Sequence, residues 1–353
     1  MDLDALPRPA RSFASDNSAA VHPAVLEALG RANRGHALAY GYDEMTAAAD
    51  RRFCELFGRT VAPFYVWGGS GANVMALMAF ARPADAVICT DISHINVDET
   101  GSPERIVGVK LIDVPSTGGK LTPAQIDAQV YAIGDEHHAQ PGIVSITQST
   151  EIGTLYTPDE VAAIVEVAHR HGMRVHVDGA RIANATAALG GTVEALRSVT
   201  VDAGVDVVSF GGTKNGMMYG EAVVFLDPEQ ATRAKIVRKL VGQLPSKMRY
   251  ISAQFDALLA DGLWLDNARH ANAMTRRLYD GVVGVPGLLL DGPPAVNSVF
   301  PRLPRAAIDA LQAWATFYDW DASVDQVRWM TAWDTSPEDV DRMIAGVESV
   351  LAT

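Results

Sequence analysis

Seven short apolar runs, rich in β-branched residues, recur along the first two thirds of the chain. They lie at Pro63–Trp67, Ala86–Cys89, Lys110–Val114, Ile143–Thr147, Arg174–Val177, Val205–Phe210 and Ala222–Leu226. Near-continuous apolar strands of this length are those of a sheet buried on both faces. Helix starts fall between them. Thr122-Pro123-Ala124-Gln125 and Thr157-Pro158-Asp159-Glu160 each place a capping threonine, a proline at the first helical position and an amide or acid at the third. The second helix should end at His169-Arg170-His171-Gly172, with cationic groups at the negative end and glycine as the stop. This alternation predicts an α/β domain with a mostly parallel, seven-stranded sheet, and a ligand beyond the carboxyl ends of its strands.

The flanks differ in texture. Residues 1–14 read as an irregular, proline-containing arm, followed by Ser15-Asp16-Asn17 and a short helix from Pro23. Tyr40-Gly41-Tyr42-Asp43 reads as a turn before a helix running to about Leu56. Past residue 250, helical stretches at Ile251–Leu259 and Asn267–Val282 lead to a turn-rich segment, Val285–Pro294. A strand at Val327–Trp333 and a capped helix from Ser336 complete a smaller α+β unit. The expected division is an N-terminal arm over 1–30, a large domain over 31–250 and a small C-terminal domain over 251–353.

Length and composition add bounds. A chain of 353 residues is long for one hydrophobic core. A formal net charge of −13 argues against nucleic acid or an anionic membrane as partner. Cys54 and Cys89 lack metal or redox spacing, which fits a reducing compartment. With no signal-peptide core at the N-terminus and no apolar run of spanning length, a cytoplasmic location is expected.

The chemistry concentrates in Val207-Val208-Ser209-Phe210-Gly211-Gly212-Thr213-Lys214-Asn215-Gly216. The strand is expected to break at Ser209 into a loop with three glycines around Lys214. Buried there, the lysine would lose proton affinity and become a nucleophile, whereas an isolated lysine is ordinarily a solvated loop residue. Upstream, His176-Val177-Asp178-Gly179-Ala180-Arg181 delivers a carboxylate and a guanidinium from another strand end. A lysine and an aspartate so placed suggest pyridoxal phosphate, held by Lys214, with Asp178 keeping its ring nitrogen protonated.

Other stretches point to the same group. In Trp67-Gly68-Gly69-Ser70-Gly71-Ala72-Asn73, the N–H groups around Gly69, Ser70 and Gly71 and the Ser70 hydroxyl suit a phosphate at a helix start. The spacing is not that of a dinucleotide fingerprint. His94 follows the next strand and would stack on the ring, near a substrate hydroxyl; alone it would read as a backbone-satisfied loop histidine. Arg181 is a donor for the ring phenolate or a substrate carboxylate. Arg328, on a strand flanked by Trp329 and Trp333, needs either a substrate carboxylate or an intramolecular salt bridge. Glu136-His137-His138 reads as a solvated loop and His169 and His171 as helix-end charges, so no metal site is expected.

Taken together, these stretches resemble the threonine aldolase family, pyridoxal-phosphate enzymes of the aspartate-aminotransferase group (fold type I). The resemblance runs from about Ser15 to the C-terminal helix. It rests on Ser15-Asp16-Asn17, Tyr40-Gly41-Tyr42-Asp43, Gly68–Asn73, Ser93-His94-Ile95, His176–Arg181 and Ser209–Gly216. It implies that Lys214 holds the cofactor, Asp178 contacts the pyridine nitrogen, His94 stacks on the ring, and Ser15, Arg181 and Arg328 surround the substrate carboxylate. Where many low-specificity members carry a histidine near the substrate hydroxyl, this chain has Glu151, in Thr147-Gln148-Ser149-Thr150-Glu151-Ile152-Gly153. That is more similar to the branch containing phenylserine aldolases, with Glu151 either a general base or a hydrogen-bonded pocket residue. A phosphate contact from a neighbouring subunit would fall to Lys247 or Arg249, so a homo-oligomer, dimer or tetramer, is implied. The implied reaction is retro-aldol cleavage of a 3-hydroxy-α-amino acid. A β-eliminating lyase on the same scaffold is the rival within enzymes, and a cofactor-free binding protein the rival outside them.

Overall fold

The computed structural model describes residues 3–352. The seven strands are β1 (Ala62–Val66), β2 (Asp85–Thr90), β3 (Lys110–Val114), β4 (Gln140–Thr147), β5 (Arg174–Gly179), β6 (Val207–Gly211) and β7 (Glu221–Phe225). They form one sheet in the order β1-β7-β6-β5-β4-β2-β3, in which β7 runs against both its neighbours and the other strands are parallel to one another. Both faces are covered. On one, Phe53 packs edge-on against Phe210 at 5.4 Å and tilts onto Phe255 at 5.3 Å, joining helices Glu44–Phe57 and Arg249–Leu259 to β6. On the other, Met75 of helix Gly69–Phe80 packs with Phe64, Phe225 and Val237, and the helix is apolar on nearly every side because nearly every side is buried.

Local chemistry sets the helix ends as the sequence indicates. Thr122/Gln125 and Thr157/Glu160 both form reciprocal capping boxes, as does Ser336/Asp339. Helix Pro158–Arg170 stops at His171, and Gly172 follows at φ 75°.

A second, antiparallel sheet contains β8 (Ser298–Val299), β9 (Tyr318–Asp321) and β10 (Gln326–Met330), in the order β8-β10-β9. Its core gathers Leu278, Ile308, Trp314, Phe317, Trp329 and Met343. The N-terminal arm joins this core: Phe13 is fully buried in it, its N–H donates to Thr316 O at 2.9 Å, and Met330 N–H donates to Phe13 O at 2.8 Å.

Two expected boundaries move. β6 does not break at Ser209 but runs on to Gly211, because the Ser209 hydroxyl is satisfied inside the sheet by His176 Nε2 at 2.9 Å. Gly211 is required there, since a Cβ would sit 2.3 Å from Ala180 O. β10 ends at Met330 rather than Trp333. Thr331 instead donates its hydroxyl to Ala271 O at 2.6 Å, and Trp333 leaves the sheet to donate to Ala20 O at 2.8 Å. No helix among the described residues is long and apolar enough to cross a membrane.

Candidate active site

The carboxyl ends of β2, β4, β5 and β6 meet the start of helix Gly69–Phe80 in a cleft lined by Asn73, His94, Glu151, Asp178, Arg181 and Lys214, among others. Lys214 sits in a helical turn, Thr213–Asn215, just after β6. Its loop is pinned on both sides. The Gly212 N–H donates to buried Glu221, Asn215 donates to Trp264 O at 2.8 Å, and Asn267 donates to Asn215 O at 2.8 Å. Burial and then the neighbouring Arg181 charge push the Lys214 ammonium below its usual value, against Asp16, Asp178 and Glu221. The amine is thereby freed toward the nucleophilic form.

Asp178 ends β5, opposite Thr147 on β4 and Ser209 on β6. One carboxylate oxygen accepts Ala180 N–H at 3.0 Å and the other Asn73 Nδ2 at 2.7 Å. Burial opposes its ionisation, but His176, His94 and these hydrogen bonds together hold the carboxyl below its usual value. His176 is itself pushed down to about 4 by burial, so at neutral pH it is an uncharged link, bonded at 2.9 Å to both Ser145 and Ser209.

His94 opens a short helix, His94–Val97. Its Nδ1 lies 2.9 Å from Glu99 Oε1, the same oxygen that accepts Asn73 Nδ2 at 2.8 Å. The Glu99 contact raises the imidazole's proton affinity, against burial. Ligand atoms of His94, Glu99 and Asp178 lie within 4.8 Å of one another, and shared hydrogens of the imidazole and of Asn73 occupy the space between them. Glu151 Oε1 accepts from His94 N–H at 2.9 Å and from Thr147 Oγ1 at 2.8 Å. Burial raises its carboxyl's proton affinity.

Arg181 points a fork at buried Asp16, with Nε at 2.7 Å and Nη2 at 2.9 Å, and Asn297 supports the same aspartate at 3.1 Å. Ser15, one residue earlier, caps its own turn by accepting Asn17 N–H at 3.2 Å. Arg328 donates to Ala14 O at 3.0 Å and lies 5.4 Å over Trp320. The aromatic partner is thus Trp320, whereas Trp329 faces the second core. Arg328 has no ion-pair partner among the described residues, so the salt bridge considered from sequence is not formed.

Gly69, Ser70 and Gly71 form the first turn of their helix, with Gly68 as a cap that offers no side chain. A Cβ at Gly71 would lie 2.3 Å from the Gln243 amide, so a larger residue there would displace the side chain that accepts Trp67 N–H. Lys247 and Arg249 are not brought to this cleft within one chain. They line another, with Gly35–Ala39, where Arg249 donates to Gly35 O at 3.2 Å.

The model for beta-eliminating lyases matches residues 12–303. The low specificity L-threonine aldolase of a Pseudomonas species is 40% identical over 345 residues, covering 97% of this chain and 98% of that one. The chain belongs to the threonine aldolase family. The enzyme of the same description from Pseudomonas aeruginosa is also 40% identical, over 342 residues, covering 97% of this chain and 98% of that one. A threonine aldolase structure from Leishmania major superposes with a TM-score of 0.90 at 30% identity, covering 98% of this chain and all of that one. The fold is that of the fold type I pyridoxal-phosphate enzymes.

Pyridoxal 5′-phosphate is the cofactor of threonine aldolases, and the residues present fit it. Asn73 Oδ1, Ser149 Oγ and Glu151 Oε2 on the cleft wall are buried polar atoms without a hydrogen-bond partner. Left so, each costs roughly 1–3 kcal/mol; a polar ligand in the cleft is what such groups accommodate. Several residues at the cleft were not picked out from sequence: Asp16, Asn73, Glu99, Thr147, Ser149 and Ala180. Asp16 and Asn73 lay inside motifs read for their neighbours. Glu99, five residues past His94, carried the one local signal available, an acid close behind a candidate imidazole.

Proposed function

We propose that the chain cleaves L-3-hydroxy-α-amino acids (threonine, allo-threonine or phenylserine) to glycine and an aldehyde. The observation that carries this reading is the cleft's charge arrangement. An ionised, buried Asp178 and an amine-favouring Lys214 face one space, and Arg328, a guanidinium with no carboxylate of its own, lies within electrostatic reach of Arg181 on the cleft wall. Pyridoxal phosphate, when bound, supplies a sink for the electron pair left on Cα when the Cα–Cβ bond breaks. Lys214 would hold it, Asp178 would meet its ring nitrogen, His94 its ring face, and Gly69, Ser70 and Gly71 its phosphate. Arg328, with Arg181 and Ser15, orients the substrate carboxylate. A base, His94, Glu151 or a water they hold, takes the β-hydroxyl proton.

Either Lys247 or Arg249 acts in this reading from a second copy, on a neighbouring subunit's phosphate. Supporting this, they share their cleft with an exposed apolar side chain, Leu38, 71% exposed. A cytoplasmic dimer or tetramer is the assembly we propose. Arg249→Ala and Lys247→Ala, tested singly, should show which one weakens cofactor retention.

The deciding experiment is product analysis of the purified holoenzyme with L-threonine, L-allo-threonine and phenylserine. Glycine plus the matching aldehyde establishes the aldolase. Ammonia plus a keto acid would instead establish a β-eliminating or dehydrating lyase, the activity in the matched family's description.

A further inference from the structure

We infer that Glu99 is a positioning residue that fixes the tautomer of His94 and so makes its Nε2 the base for the β-hydroxyl proton. The inference rests on the retro-aldol reading above and narrows its choice of base.

Glu99 has no exposed side-chain surface, and its carboxyl group is spent on polar side chains around the cleft. Its Oε1 meets His94 Nδ1 at 2.9 Å and Asn73 Nδ2 at 2.8 Å, and its Oε2 accepts Ser102 Oγ at 3.3 Å. A carboxylate oxygen can only accept, so the proton of a neutral imidazole lies on Nδ1. The lone pair then lies on Nε2, on a ring 39% exposed to the cleft. The hydroxyl proton passes to Nε2 as the O–H pair becomes the second carbon–oxygen bond of the aldehyde. The Cα–Cβ pair stays with Cα, and the imidazolium formed is stabilised by Glu99.

Asn73 ties this dyad to the rest of the cleft. Its two amide hydrogens go to Glu99 and to Asp178, so one side chain bridges two buried carboxylates that would otherwise repel. Glu151 is an anchor in this arrangement, since its Oε1 accepts the backbone N–H of His94 and the Thr147 hydroxyl. The charged groups acting most on the imidazole come from several elements, and Arg181 lines the same cleft. Glu99, from its own segment, and Asp178, from β5, favour its protonated form, Lys214, from beyond β6, disfavours it, and Glu151, from beyond β4, touches only its backbone.

The test is the pH dependence of kcat/KM for 3-hydroxy amino acid cleavage by the holoenzyme and by Glu99→Gln, Glu99→Asp, His94→Phe and the double variant Glu99→Gln/His94→Phe. The His94 ring is titrated in parallel by NMR of histidine-labelled holoenzyme. Because Glu99 raises the His94 pKa, its loss should move the acid limb, and the His94 titration, to lower pH by at least about half a unit, with kcat down about tenfold or more and KM within about twofold. Glu99→Asp should recover part of both. In the His94→Phe background, Glu99→Gln should change nothing further. An acid limb at the wild-type position in Glu99→Gln overturns the inference. So does an effect that persists without His94, or a fall in kcat that merely follows bound-cofactor content. If Glu99→Gln fails to retain cofactor, Glu99→Asp carries the test, with a smaller shift of the same sign. A wild-type enzyme that releases no glycine would remove the proposed function instead, while the His94 titration would still read the Glu99 contact.

Discussion

Two buried aspartates sit at opposite ends of β5, and they are treated differently. At the amino end, Asp206 is saturated: it accepts His169 Nε2 at 2.8 Å, Arg174 Nη1 at 2.8 Å and Val175 N–H at 2.7 Å. At the carboxyl end, Asp178 accepts Asn73 and Ala180 N–H and lines an open cleft among polar atoms that have no partner. Both are at most 5% exposed. Burial alone therefore does not separate an acid satisfied within the chain from one that faces a cleft. What separates them is whether the surrounding groups close the hydrogen-bonding account within the chain or leave it open toward a cavity.

The largest effect expected at the open end is that of Lys214→Ala, which should lower turnover by more than about 10³-fold. Substantial residual cleavage in a product assay would remove Lys214 from the chemistry. Asp178→Asn should lower kcat/KM by about 10²–10³-fold while the thermal midpoint hardly moves. A large loss of stability in that variant would break the contrast with Asp206. Asp206→Asn is the converse. It should cost about 2–3 kcal/mol of stability, seen as a lower denaturation midpoint, with kcat unchanged; a changed kcat would blur the division between the two ends. Arg328→Ala should raise the amino-acid KM by about tenfold or more, with little change in thermal midpoint, because no acid is left unpaired by its removal. Smallest is Thr157→Ala, which removes one helix cap and should cost about 1 kcal/mol with no kinetic consequence.

The frame of the molecule was readable because its signals are local. Apolar runs, a proline after a capping threonine and a glycine after a helix all act within a few residues, and the sheet and the Thr157/Glu160 box follow from them. Ser209 shows where that reading fails. A polar residue in an apolar run suggests a break, but its hydroxyl is satisfied by His176, on the next strand. The cleft was readable to the extent that chemistry sits on distinctive motifs, as with Lys214 and Asp178. Asn73 has partners 26 and 105 positions away, and Asp16 meets Arg181 across 165. No pattern along the chain announces a contact made only when distant strand ends converge.

The arm that packs against the last sheet has a consequence for the order in which the protein can be made. Asp16 leaves the ribosome long before Arg181, and the segment carrying Asp16 is fastened by Phe13 to Met330 and by Ala14 to Arg328, 314 residues downstream. A nascent chain stopped short of β10 therefore has a sheet and a Lys214 loop but no clamp to hold the counter-ion of Arg181 in place. The Asp16–Arg181 corner of the cleft is therefore completed only at the end of translation, after the residues around Lys214 have long emerged.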